Sequence, residues 1–234
     1  MTNEIIEENK KKYLELFDKF ILPNYVGAEN LRIWIVEKSD FFTAPASTKY
    51  NLAEEGGLCA HTLNVFNRLM STFKKEYMSI EPDAEIEDVT AFCDALCVDY
   101  CGIALVSLCF SLYKCNTYKK YIKNEKIYSD IGSKHDALGR YDWIEKSAYT
   151  WEPDFYYGRG AKSVFILQCF LHDVSIDEAM AIRYHLYGNE NMSICGIDAN
   201  IYDVAYANKL VALLHIADLQ AQYIDEIPAQ CSTS

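Results

Sequence analysis

Apolar residues recur at helical spacing through most of the chain. Ile5, Ile6, Tyr13, Leu14, Leu16, Phe17, Phe20 and Ile21 mark one face of a helix over 4–22, and Pro23 ends it. A short helix is expected over 28–38. The stretch "SDFFTAPASTKYNLAEEGG" then has the Pro, Ser, Thr and Gly content of an ordered loop and no strand alternation. Two core helices are predicted over 58–78 and 85–114, joined by the polar turn "SIEPDAE", where Pro82 interrupts the pattern. "TYKKYIKNEKIYS" and "RYDWIEKSAYTWE" alternate and are rich in Tyr, Ile and Thr, which predicts a small two-stranded hairpin within about 117–152, with a polar insertion over 129–140. Helices return over 160–171, 176–187 and 201–226, the second opened by Ser175 as N-cap with Glu178 at the capping-box position. The fold class is therefore mainly α, a helical bundle with a small β-hairpin insertion. No repeat or linker marks a boundary, so a single domain over 1–234 is expected, with 1–40 as an N-terminal helical extension.

Composition narrows the partners. Half of the residues are hydrophobic and 24% are charged, which suits a folded chain. A formal charge of -12 and a pI near 4.9 argue against a binder of long nucleic acid, because such a protein needs a broad basic face. Small anions remain open, since a pocket can be basic on an acidic protein. The mixed charges of "MTNEIIEENKKKYLELF" fit neither a signal peptide nor a membrane span, so a cytoplasmic setting is expected. Nine cysteines lie in apolar helical text and read as reduced core residues. Cys93, Cys97 and Cys101 recur every four residues, along one face of the expected 85–114 helix, without the C-x-x-C knuckles of a zinc site.

"FFTAPASTKY", "GGLCAH", "YKCNTYKKY", "YGRGAKS", "EAMAIRYH" and "LLHIADLQAQYIDE" together resemble the HD-domain phosphohydrolase superfamily, in particular its small single-domain bacterial and phage-type members, over roughly 30–226. The resemblance implies an HD-domain-like helical bundle whose ligands are an early histidine, a His-Asp pair at the end of a later helix, and an aspartate on the last long helix. In the family these hold a divalent cation that activates water for attack on a phosphoester. Carried over, the first histidine is His61 and the last aspartate is Asp218. The pair is absent: where relatives read roughly L-H-D-L-C-K-x-N-x-Y-K, this chain reads "LCFSLYKCNTYKK", with Phe110 and Ser111 at the ligand positions. Phenylalanine cannot bind a metal, and a neutral hydroxyl is a poor substitute for a carboxylate. Where relatives carry G-H-G-E-K-S, "GRGAKS" puts Arg159 and Ala161 in place of two polar residues. Two literal His-Asp dipeptides, His135-Asp136 and His172-Asp173, fall in a polar insertion and a turn, and read as turn residues.

Phosphate-binding residue types survive at or beside the same motifs. The candidate ligand-binding set is Lys49, His61, Lys114, Arg159, Lys162, Arg183, His185 and Asp218. Lys119 either faces the pocket or solvates the hairpin, and His61 with Asp218 is either a ligand contact or a hydrogen-bonded packing pair. His215, in "LVALLHIADL", reads as a core histidine. Tyr113, Tyr118, Tyr156, Tyr157, Tyr184 and Tyr187 offer faces for base stacking or belong to the core and hairpin. Metal ligands lost and cations kept lead to the expectation of a catalytically inactive domain with no cofactor. It would bind and sequester or sense a phosphorylated small molecule, most plausibly a nucleotide or cyclic (oligo)nucleotide messenger, as a viral anti-defence sponge would. Two alternatives stay open. One is a metal-dependent phosphohydrolase using Mn or Mg on His61, His185, Asp218 and a further acid; the other is a protein-interaction scaffold.

Overall fold

The computed structural model describes residues 1–86, 88–186, 204 and 206–226. The first helix, α1 (Asn3–Phe20), is capped by Thr2 and buries Tyr13, Phe17 and Phe20. It packs on the third and fourth helices, so the N-terminal segment is built into the core rather than appended to it. Helix α2 (Ala28–Ile33) continues as a π-turn over Trp34–Lys38, matching the expected 28–38 segment. Helix α3 (Gly57–Thr72) is likewise extended by a π-turn over Phe73–Tyr77. Its start needs glycine: a Cβ on Gly57 would lie 2.1 Å from the Leu52 carbonyl oxygen. The 44–52 loop is thereby pressed against the first turn, where Leu58 N–H donates to Ala44 O at 2.9 Å.

The expected 85–114 helix is much shorter. Helix α4 runs only over Tyr100–Cys109, with Asp99 accepting from Gly102 N–H at its N-cap. Before it, Cys93 and Val98 form an isolated antiparallel bridge and Cys97 sits at a φ of 55°. The three cysteines therefore do not share a helical face: Cys93 and Cys101 are buried, and Cys97 is exposed. Every residue of α4 is buried, as a helix apolar on all sides must be. It contacts α1, α3 and the sixth helix, and Tyr13 Oη donates to Leu108 O at 3.1 Å.

The hairpin is a three-stranded antiparallel sheet in the order β1-β3-β2, from β1 (Tyr118–Tyr128), β2 (Lys134–Asp136) and β3 (Gly139–Trp151). The polar insertion expected over 129–140 supplies β2, so His135 and Asp136, expected in a turn, lie on a strand, with His135 paired to Arg140. Helix α5 (Arg159–Phe170) follows, then α6 (Ile176–Tyr184), which has the capping box of Ser175 and Glu178. The last described helix, α7 (Lys209–Gln220), packs on α3 and α6 and widens into a π-turn over Ala221–Asp225. The remainder of the expected 201–226 helix, and the end of the expected 176–187 helix at Tyr187, lie outside the described residues. Seven α-helices among the described residues, with one small sheet, make the chain mainly α. No described helix is long and apolar enough to cross a membrane.

Candidate functional site

His61 lies one turn into α3 and is wholly buried. Its Nδ1 meets Glu226 Oε1 at 2.8 Å and its Nε2 meets Asp218 Oδ1 at 3.1 Å. Asp218 comes from α7; Glu226 is delivered by the π-turn that follows, whose closing bond runs from Glu226 N–H to Ala221 O. Asn51 and Asn64 also donate to Glu226, and Gln222 donates to Asp218. Burial and the nearby Lys114 charge both oppose protonation of His61, yet hydrogen bonds to Asp218 and Glu226, with the attraction of the Asp218 charge, outweigh them and raise its pKa. Burial pushes Asp218 and Glu226 up, but bonding to His61 outweighs it, so both stay below the ordinary carboxylate range. Lys114 is lowered, chiefly by burial and further by Arg159, with Asp218 and Glu226 acting in the opposite sense. His61, Lys114, Asp218 and Glu226 thus form one buried group of mutually interacting ionisable side chains.

Phe110 and Ser111 shape the wall beside it. The Phe110 ring stands 5.7 Å from the His61 ring and 5.1 Å from the His185 ring, edge-on to both. Ser111 Oγ is 2.9 Å from Thr62 Oγ1, fully buried. Ser163 holds the turn after α4, donating to Phe110 O at 2.6 Å and accepting from Tyr113 N–H at 3.0 Å. The rings then run outward. Tyr113 lies 6.1 Å from His185 and 6.1 Å from Trp151, and Trp151 is 5.2 Å from Tyr118. At the exposed end the Arg159 guanidinium sits 5.6 Å from the Trp151 ring centre, at the first residue of α5. That helix start has no side-chain cap.

The candidate set therefore divides. His61, Lys114, His185 and Asp218 converge, and Arg159 stands at the outer end of the ring row. Lys162 donates to Thr117 Oγ1 at 3.2 Å and lies over the Phe155 ring; Lys49 lies over the Tyr50 ring. Among the described residues neither makes a hydrogen bond or ion pair with the His61 group. Arg183 lies over the Tyr184 ring. Lys119 pairs with Glu152 at 2.5 Å while 70% exposed, which solvates the sheet. His215 Nδ1 donates to His185 O at 2.7 Å, and His185 Nδ1 donates to Ile182 O at 2.6 Å. Asp136 accepts from Lys126 and Tyr128, and Asp173 from Val26 N–H, so both dipeptide carboxylates brace local structure. Tyr156 and Tyr157 are exposed, and Tyr187 lies outside the described residues.

A divalent metal does not fit this arrangement. Asp218 and Glu226 occupy opposite edges of the His61 imidazole, so both cannot join it around one ion, and no group of three or more His, Cys, Asp or Glu side chains placed to hold a metal is found among the described residues. Glu226 is the member that sequence reasoning missed. Its only signal was a carboxylate at the end of "YIDE", with nothing to say that it would return to α3. No family model, curated protein or solved structure matches this chain.

Proposed function

We propose that the chain is a degenerate HD-domain-like protein that binds a phosphorylated small molecule, a nucleotide or cyclic (oligo)nucleotide, and holds it intact. The observation that carries this reading is the Phe110 ring between His61 and His185, with His61 already tied to two carboxylates. The outer surface supplies what a nucleotide needs. Arg159 and the uncapped start of α5 offer positive charge and N–H groups for a phosphate, while Trp151 and Tyr118 offer faces for a base.

The test is capture from a mixed panel of linear and cyclic nucleotides, followed by removal of unbound material, denaturation and mass spectrometry. An intact nucleotide released in about one-to-one amount is the expected result. A cleaved product overturns the inactive reading. Nothing captured overturns binding altogether and leaves a protein-interaction scaffold.

A further inference from the structure

A cleft of about 590 Å³ lies between the 48–54 loop and the middle of the β1–β3 pair. Its walls carry three lysines, Lys49, Lys123 and Lys146, and the hydroxyls of Thr48, Tyr50 and Ser147. Lys123 and Lys146 are direct cross-strand partners on β1 and β3. Like charges opposite each other weaken a sheet, and a local rule broken without a packing gain points to a site. Glu125 relieves them only in part, at 3.5 Å from each. Lys49 has no carboxylate partner among the described residues; its ammonium rests 5.4 Å from the Tyr50 ring centre.

Three acids also line the cleft, and each is matched elsewhere. Glu54 is paired with the Met1 ammonium, Asp225 with Arg68, and Glu226 with His61. Among the described residues Lys123 and Lys146 share Glu125 as their carboxylate partner and Lys49 has none, on a chain whose formal charge is -12. Leu52, also in the wall, holds a φ of 43°, a conformation that costs a non-glycine residue and fixes the loop shape.

We propose that this cleft is an anion site for a small molecule carrying a chain of two or three phosphates, gripped by Lys49 from one side and by Lys123 and Lys146 from the other. It is separate from the Arg159 surface and does not depend on the reading given for that surface. The probe is inorganic tripolyphosphate, titrated calorimetrically into the whole chain at low salt. Saturable one-to-one binding is expected, and Lys49→Gln with Lys146→Gln should weaken it about tenfold or more. Lys49→Arg keeps the affinity, and the titration is run in the Arg159→Ala background so that the surface at the start of α5 does not contribute. Absence of saturable binding overturns the proposal. So does binding that survives the double lysine change in that background, since phosphate would then be held elsewhere. The two lysines changed are exposed, and the double variant is checked for unchanged thermal unfolding before titration.

Discussion

His61 and Glu226 stand 165 residues apart in the chain and meet at 2.8 Å in the core. Asp218 takes the other edge of the same ring, so one imidazole ties α3 to α7 and to the residue that closes the last π-turn. Removing the ring leaves two carboxylates buried, with Lys114 left to offset them. His61→Ala should therefore destabilise the fold by about 3–5 kcal/mol, the usual cost of stripping one partner from a buried ionic group. Urea unfolding of the two proteins measures it; a loss under about 1 kcal/mol would mean that the triad is solvated in solution.

The same triad sets a pH window. His61 has a folded pKa raised above 6.5, so its contribution is complete below 6.5 and is lost as pH rises through the folded value. Asp218 and Glu226 are depressed from 3.8 and 4.5, so theirs is complete above 4.5 and lost as pH falls through the folded values. The stability difference between the wild type and His61→Gln should therefore be largest between pH 4.5 and 6.5 and shrink on both sides. Thermal unfolding of both proteins from about pH 3 to about pH 9 measures it. A difference flat across that range would mean that His61 is neutral in the fold.

Gly160 is fixed by backbone proximity. A Cβ there would lie 2.2 Å from Arg183 O and 2.7 Å from Ile182 O, both main-chain atoms of α6. Gly160→Ala must push α5 away from α6 and should cost about 1–3 kcal/mol, with a lower midpoint in urea. Because Arg159 is the preceding residue, the variant should also capture less nucleotide than its residual stability accounts for.

Much of this architecture was legible because local chemistry and packing agree. Pro23 and the apolar stripe bounded α1 to within two residues, and Ser175 with Glu178 forms the capping box that its spacing announced. The expected 85–114 helix failed because three cysteines at four-residue spacing imitate a helical face. The signals that overrule them, Asp99 as a cap and a tight bridge from Cys93 to Val98, are short-range and easily outweighed by apolar content. In the site, His61 and Asp218 were found by motif position. Glu226 was not, since its placement depends on a π-turn that re-aims one carboxylate. Lys49 and Lys162 were grouped with the site by motif alone, whereas tertiary packing sends one to another cleft and the other to Thr117.

Trp151 stands at the centre of the proposed binding surface, with Tyr113, Tyr118 and Arg159 all packed about it. Trp151→Ala should weaken nucleotide capture by about 1–3 kcal/mol, the worth of one base stacked on an aromatic ring. Trp151→Phe keeps a face and should recover most of it. Equal capture by the wild type and Trp151→Ala, read by equilibrium dialysis, would remove base stacking from the binding scheme.

Phe110→His with Ser111→Asp tests whether these positions correspond to the His-Asp pair of the family resembled. The Phe110 ring already faces His61 and His185, so an imidazole there would join two others. The carboxylate introduced by Ser111→Asp would enter a fully buried site beside Thr62, where the wild type holds only a hydroxyl pair. Without a cation that carboxylate is uncompensated, so the metal-free double variant should be less stable than the wild type by about 3–5 kcal/mol. Added Mn²⁺ should then raise its unfolding temperature in a concentration-dependent way, because an ion bound only by the folded chain stabilises it by mass action. The wild type, which lacks the His-Asp pair, should show no such rise. If the double variant loses stability and Mn²⁺ restores none of it, Phe110 and Ser111 do not stand where a metal pair once stood, and the inactive-site reading loses its strongest support.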